Sequence, residues 1–116
     1  MKGLGGLGDM ARLMKQAQGQ MRQMQKQMGE VDEQLKTRVV EGSAGGGMVK
    51  VLLNGLQEPM DVVIDPSILA EGDAEFIQEM ILAALRQGLK KSKEIAEEEK
   101  NRILGSVGLP GLEKLL

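Results

Sequence analysis

The 116-residue chain contains no cysteine, histidine, tryptophan or tyrosine, and its single aromatic residue is Phe76. Without thiols or imidazoles there can be no disulfide, no Cys/His zinc site, no thiol nucleophile and no imidazole acid–base chemistry. A single aromatic ring provides no platform for stacking successive bases, which argues against single-stranded nucleic-acid modules of that type. Carboxylates are plentiful but fall in helix-surface patterns. The composition therefore argues against an enzyme, and no cofactor, metal or small-molecule substrate is expected. A long apolar run is also missing. The opening "MKGLGGLGDM" has one lysine and an apolar stretch broken by glycine, too short for a secretory signal or membrane span. A flexible glycine-rich arm over 1–8 on a cytoplasmic protein with no membrane role is the expectation.

Hydrophobic residues make up 41% of the chain and nine of them are methionine. Such a composition implies an aliphatic, adaptable core. Net charge is -2 and the pI is about 5.2, so total charge gives no sign of a nucleic-acid binder. The distribution of charge carries more information. From Asp9 to Lys36 apolar residues fall at Met10, Met14, Ala17, Met21, Met24, Met28, Val31 and Leu35, alternating steps of four and three. That spacing predicts a long amphipathic helix with a coiled-coil seam, capped at its start by Asp9. Beside the seam lie Gln18, Gln20, Gln25, Gln27, Asp32 and Gln34, nearly all uncharged. The outer face carries Arg12, Lys15, Arg22 and Lys26, with no acidic residue between Met10 and Gly29. A basic stripe of this kind is more often a solvated helix face than the seat of an anionic partner.

Beyond Lys36 the period changes. "TRVVEGS", "MVKVLLN" and "LQEPMDVVID" predict three strands joined at Gly45–Gly47 and at Asn54–Gly55, a three-stranded antiparallel meander. Pro59 cannot donate to a ladder, so the third strand should start at an edge or a bulge. The frame from Gly42 to Gly47 resembles a phosphate cradle only superficially, because Met48 and Val49 stand where a Walker loop needs lysine and a hydroxyl residue. These glycines are expected to serve the hairpin. Asp65–Pro66 predicts an N-cap and first residue of a short helical turn to Ala70. A second long helix is expected from about Asp73 to Leu104, with Phe76, Ile77, Met80, Ile81, Ala84, Leu85 and Leu89 on its apolar face. Its charges are ordered: Arg86, Lys90, Lys91 and Lys93, then Glu94, Glu97, Glu98 and Glu99.

The fold class is thus α+β, with the order α-β-β-β-α in one domain over 9–104 and a tail over 105–116. At a rise of about 1.5 Å per residue both long helices exceed the size of so small a domain, so their ends should project as arms. A small apolar sheet favours self-association, most often as a twofold dimer.

The succession "VVEGSAGGGMVKV", "NG", "IDPSIL", "FIQEMILAALRQGLKKSKE" and "GLPGL" resembles the YbaB/EbfC family of small bacterial nucleoid-associated DNA-binding proteins, over nearly all of the chain after the glycine-rich arm. The chain departs from the family pattern at Val39, where threonine is frequent, at Arg86–Gln87, where asparagine and an acidic residue are common, and at Gly88, where alanine is usual. The resemblance implies a tweezer-like homodimer whose strands build the dimer core, with Val40, Val49, Val51 and Leu53 as candidates. It also implies duplex DNA as partner and a cytoplasmic, nucleoid location. The cations then become candidate DNA contacts: Arg12, Lys15, Arg22 and Lys26 on the first helix, and Arg86, Lys90, Lys91 and Lys93 on the last. No helix-turn-helix or zinc-finger spacing is present, so contact should be mostly with phosphates and sequence preference weak. The other reading of the same residues is a protein-binding module, in which Met-rich helical arms grip a partner helix or an unfolded chain.

Overall fold

The structure, a computed structural model, describes residues 2–106. In chain order its elements are α1 (Lys2–Thr37), β1 (Val39–Ala44), β2 (Val49–Asn54), β3 (Pro59–Ile64), a short α2 (Pro66–Glu71) and α3 (Ala74–Ser106). This is the expected α-β-β-β-α order. The boundaries differ at both ends. Residues 2–8, expected to be a flexible arm, are helical, so Asp9 lies inside α1 and does not cap it. Of the expected tail over 105–116, Gly105 and Ser106 are the last residues of α3, and the rest, with the "GLPGL" motif, lies outside the described residues.

The chain divides into two compact units. One covers Asp32–Glu99; in the other, the part of α1 up to Val31 groups with the part of α3 from Lys100. Val31 and Leu104 are the buried apolar residues of the second unit.

Within Asp32–Glu99 the sheet order is β1-β2-β3, antiparallel throughout. The β1–β2 hairpin turns through Gly45, Gly46 and Gly47, whose φ values are 63°, 66° and 93°. All three lie in the left-handed region that glycine enters without penalty. At Pro59 the β2–β3 register shifts, between Leu52 and Leu53, as a residue lacking an N–H requires. The β2–β3 connection is not the two-residue Asn-Gly turn that its sequence suggests. Asn54 N–H donates to Glu58 O at 3.0 Å, and the left-handed residue is Gln57, φ 62°. The reason is a packing demand on Gly55. Its N–H donates to Leu35 O at 2.7 Å, and a Cβ there would meet Leu35 Cδ2 at 2.7 Å, so glycine is needed for close approach to the end of α1.

Alternation puts Val49, Val51 and Leu53 on one sheet face, buried with Ile68, Met80 and Ala84, while Ile77, Ile81, Leu85 and Leu89 pack around them. The buried residues of α3 in this unit are Met80, Ala84, Gly88, Ser92 and Ala96, spaced by four. Such a row forms an inclined ridge on a helix. Most of its members are small, so α3 lies close to the sheet: a Cβ on Gly42 would fall 2.5 Å from Gly88 N and closer still to Ala84 O. Phe76, expected on the packed face, is exposed. Its neighbour Asp73 accepts from Phe76 N–H at 3.1 Å at the start of α3. Asp65 caps α2 by accepting from Ser67 N–H at 2.9 Å, and that hydrogen bond holds its carboxyl below the ordinary value, as a side chain accepting at an N-cap does.

Candidate nucleic-acid interface

Helix geometry arranges the cations of α1. At about 100° per residue, Arg12, Lys15, Arg22 and Lys26 fall within a sector of about 80°, and their Cα atoms span about 21 Å of the axis. The seam of Met10, Met14, Met21, Met24 and Met28 lies on the roughly opposite side. All four cations are exposed, and none is committed to an ion pair or hydrogen bond among the described residues. They are therefore available to an external anion. The seam itself is graded: Met10, Met14 and Met21 are 61%, 62% and 58% exposed, Met24 and Met28 are half-buried, and Val31 and Leu35 are buried.

On α3 the cations separate into two groups. Arg86, Lys90 and Lys93 lie within about 60° of one another, on the side away from the Met80–Ala96 ridge. They are exposed and free in the same sense. Lys91 lies closer to the sheet side, and its Nζ donates to Glu41 O on β1 at 3.2 Å. One turn earlier, Gln87 Oε1 accepts from Ser43 N–H at 2.7 Å. The run "KKSK" is thus one cluster in sequence but serves two surfaces. On β1 and β2, Lys50 and Glu41 pair at 3.5 Å with both side chains about half exposed, a contact of small energetic weight.

Val40, Val49, Val51 and Leu53, anticipated as dimer core, are at most 4% exposed within the single chain. The exposed apolar residues of the sheet's last strand are Met60, Val62 and Val63, at 55%, 46% and 47%.

A polar assembly that hydrophobic periodicity could not reveal fixes the β2–β3 loop to α3. Ser92, fully buried, accepts from Gln57 N–H at 3.1 Å and from Gln57 Nε2 at 3.0 Å, and its hydroxyl donates to Asn54 O at 2.8 Å. Asn54 in turn accepts from Leu56 N–H and Glu58 N–H and donates to Glu58 Oε1. No buried side-chain polar atom is left unpaired among the described residues. The one sequence signal is the place of the serine, four residues beyond Gly88 in the row Met80, Ala84, Gly88, and it does not name the groups that the hydroxyl meets.

A three-stranded antiparallel meander preceded by one long helix and followed by another, with exposed cation stripes on both helices, defines a small α+β protein suited to a polyanionic surface. The family model of the YbaB/EbfC DNA-binding family matches residues 7–107, and the chain belongs to that family. A nucleoid-associated protein of Moorella thermoacetica is 43% identical over 106 residues, covering 91% of this chain and 98% of the relative. Another, from Pelotomaculum thermopropionicum, is 42% identical over 105 residues, covering 90% and 96%. Among solved structures, the crystal structure of an uncharacterized protein from Helicobacter pylori matches with a TM-score of 0.70 and 33% identity, covering 78% of this chain and 95% of that one. Among the described residues no helix is long and apolar enough to cross a membrane.

Proposed function

We propose that this chain is a nucleoid-associated protein that binds duplex DNA as a homodimer in the cytoplasm, mainly through phosphates and with weak sequence preference, and so contributes to nucleoid organisation or gene regulation. Family membership and the names of the relatives support the DNA reading. The observation that carries it in this chain is the set of four uncommitted cations on one face of α1, free of acidic neighbours from Met10 to Gly29. Such a stripe attracts the duplex backbone despite the acidic total, because the acidic residues lie elsewhere along the chain. Arg86, Lys90 and Lys93 offer a second stripe. The glutamines of α1 can hydrogen-bond to phosphates or base edges without imposing a sequence.

The homodimer reading rests on β3. Its apolar side chains are exposed on both faces of an edge strand, and Val40, Val49, Val51 and Leu53 would form the interior beneath such a contact.

The test is a duplex-DNA shift assay across salt, comparing the wild type with the double variant Arg22→Glu, Lys26→Glu. A dimer loses up to four phosphate contacts, which lowers the slope of log affinity against log salt by roughly 3 to 4. Helix content and oligomeric mass should not change, since both residues lie off the seam. Unchanged affinity and slope would remove α1 as the DNA surface, and the same reversal at Arg86, Lys90 and Lys93 then decides whether DNA binding stands. The exposed stripe of Leu7, Met10, Leu13, Met14 and Met21 favours a second reading, a seat for a partner helix or unfolded chain. Silence of both reversals would favour it.

A further inference from the structure

A three-stranded sheet has two edges, and each is a template for an added strand unless something blocks it. The two edges of this sheet differ. On β1, the pairing with β2 and antiparallel alternation turn the peptide groups of Val40, Gly42 and Ala44 toward β2, and those of Glu41 and Ser43 away from it. Two of these outward groups are taken from α3, one on each residue: Gln87 Oε1 takes Ser43 N–H at 2.7 Å, and Lys91 Nζ gives to Glu41 O at 3.2 Å. The match is metrical. Four residues of helix rise about 6 Å, and two residues of strand advance about 6.7 Å, so side chains one turn apart on α3 meet consecutive outward positions on β1. Gly42 makes the reach possible. It lies between Glu41 and Ser43 and lets the α3 backbone come against β1 at Ala84 and Gly88, from where both side chains curve over the edge.

β3 has no such cover. Asp65 N–H donates to Met48 O at 2.8 Å, so alternation along the β2–β3 ladder turns Val63 and Asp61 toward β2 and leaves the peptide groups of Val62 and Ile64 facing out. Val62 N–H is met only by the carboxylate of its own neighbour Asp61, at 2.8 Å. The side chains of Met60, Val62 and Val63 are exposed beside these groups.

We propose that Gln87 and Lys91 form an edge guard, which closes β1 and restricts strand addition to β3, so that association of this chain ends at a closed pair. The inference rests on the homodimer reading above. Two β3 edges pairing antiparallel about a twofold axis consume each other, whereas β3 pairing with β1 of the next copy leaves a free edge at each end and continues without limit. The guard selects the first outcome, and the occupant of the β3 edge is a second copy of the chain.

The test uses the full chain with Gln87→Ala and Lys91→Ala combined, by light scattering and sedimentation across concentration. The wild type is expected to hold at twice the chain mass, and the variant to grow beyond it with concentration. Adding Val62→Pro to the variant should stop that growth. The proline occupies an outward N–H and so spares the ladder to β2. A folded variant with wild-type mass at every concentration overturns the guard. Should the double change unfold the chain, the single changes Gln87→Asn and Lys91→Gln are read in the same way: growth supports the guard, and constant mass in both overturns it. A monomeric wild type refutes the homodimer reading alone, and growth or its absence in the variant still decides the guard.

Discussion

The two long helices, 36 and 33 residues, use their periodic residues in opposite ways. Between Leu7 and Met21, α1 presents large flexible side chains in a regular stripe and leaves them exposed. Between Met80 and Ala96, α3 presents mostly small residues and buries them. A large apolar residue reports hydrophobic potential whether or not it has a neighbour. A small residue in step reports that a neighbour is already close. The comparison therefore separates apolar pattern from packing: the stripe on α1 is left exposed by this chain's own fold, and the ridge on α3 is buried within it.

Changes at the close contact should have the largest effect. Gly42→Ala places a Cβ against the backbone at Ala84 O and Gly88 N, which cannot move aside, and should cost about 3 kcal/mol or more in denaturant unfolding. Across the same contact, Gly88→Ala meets first Leu53 Cδ1, the far end of a side chain, and should cost about 1 kcal/mol or less. Equal losses would mean that the ridge does not touch β1 as described. Next in size is Ser92→Ala, which removes the three hydrogen bonds of the buried hydroxyl, leaves Gln57 N–H paired with Asn54 O at 3.3 Å and should cost about 1 to 2 kcal/mol. A neutral result would show that the loop relaxes to water. Smallest is Met14→Gln with Met21→Gln on α1. Both side chains are largely exposed. The pair should therefore alter chain stability by no more than about 0.5 kcal/mol per site. A loss well beyond that, rising as the protein is concentrated, would show that the stripe is buried in an assembly.

Most of the architecture was legible in the sequence because its signals are local. The period-3.5 run of α1, the three consecutive turn glycines, Pro59 at a register shift and the Asp65–Pro66 start of α2 each act within a few residues. What escaped depends on contacts between distant segments. Asn54–Gly55 looks like a tight turn until Leu35 presses on Gly55. Ser92 looks like a solvated serine until Gln57 and Asn54 surround it. Asp9 looks like a cap, yet the helix runs on through the glycines that precede it. The candidate interface divides in the same way. Exposure of Arg12, Lys15, Arg22 and Lys26 follows from helical period alone, whereas the diversion of Lys91 to a β1 carbonyl needs the whole hairpin in place.

The ridge on α3 also bears on the order of folding. Its ties to the sheet join residues 35, 44 and 50 positions apart in the chain, at Gln57–Ser92, Ser43–Gln87 and Glu41–Lys91. Closing such loops costs entropy before any contact offsets it. A helix whose buried row is largely alanine, glycine and serine has little hydrophobic pull with which to start. The meander, whose contacts are nearly all between neighbours in sequence, is therefore expected to form first and α3 to dock on it late, an order checked by whether Ser92→Ala speeds unfolding while leaving the folding rate unchanged.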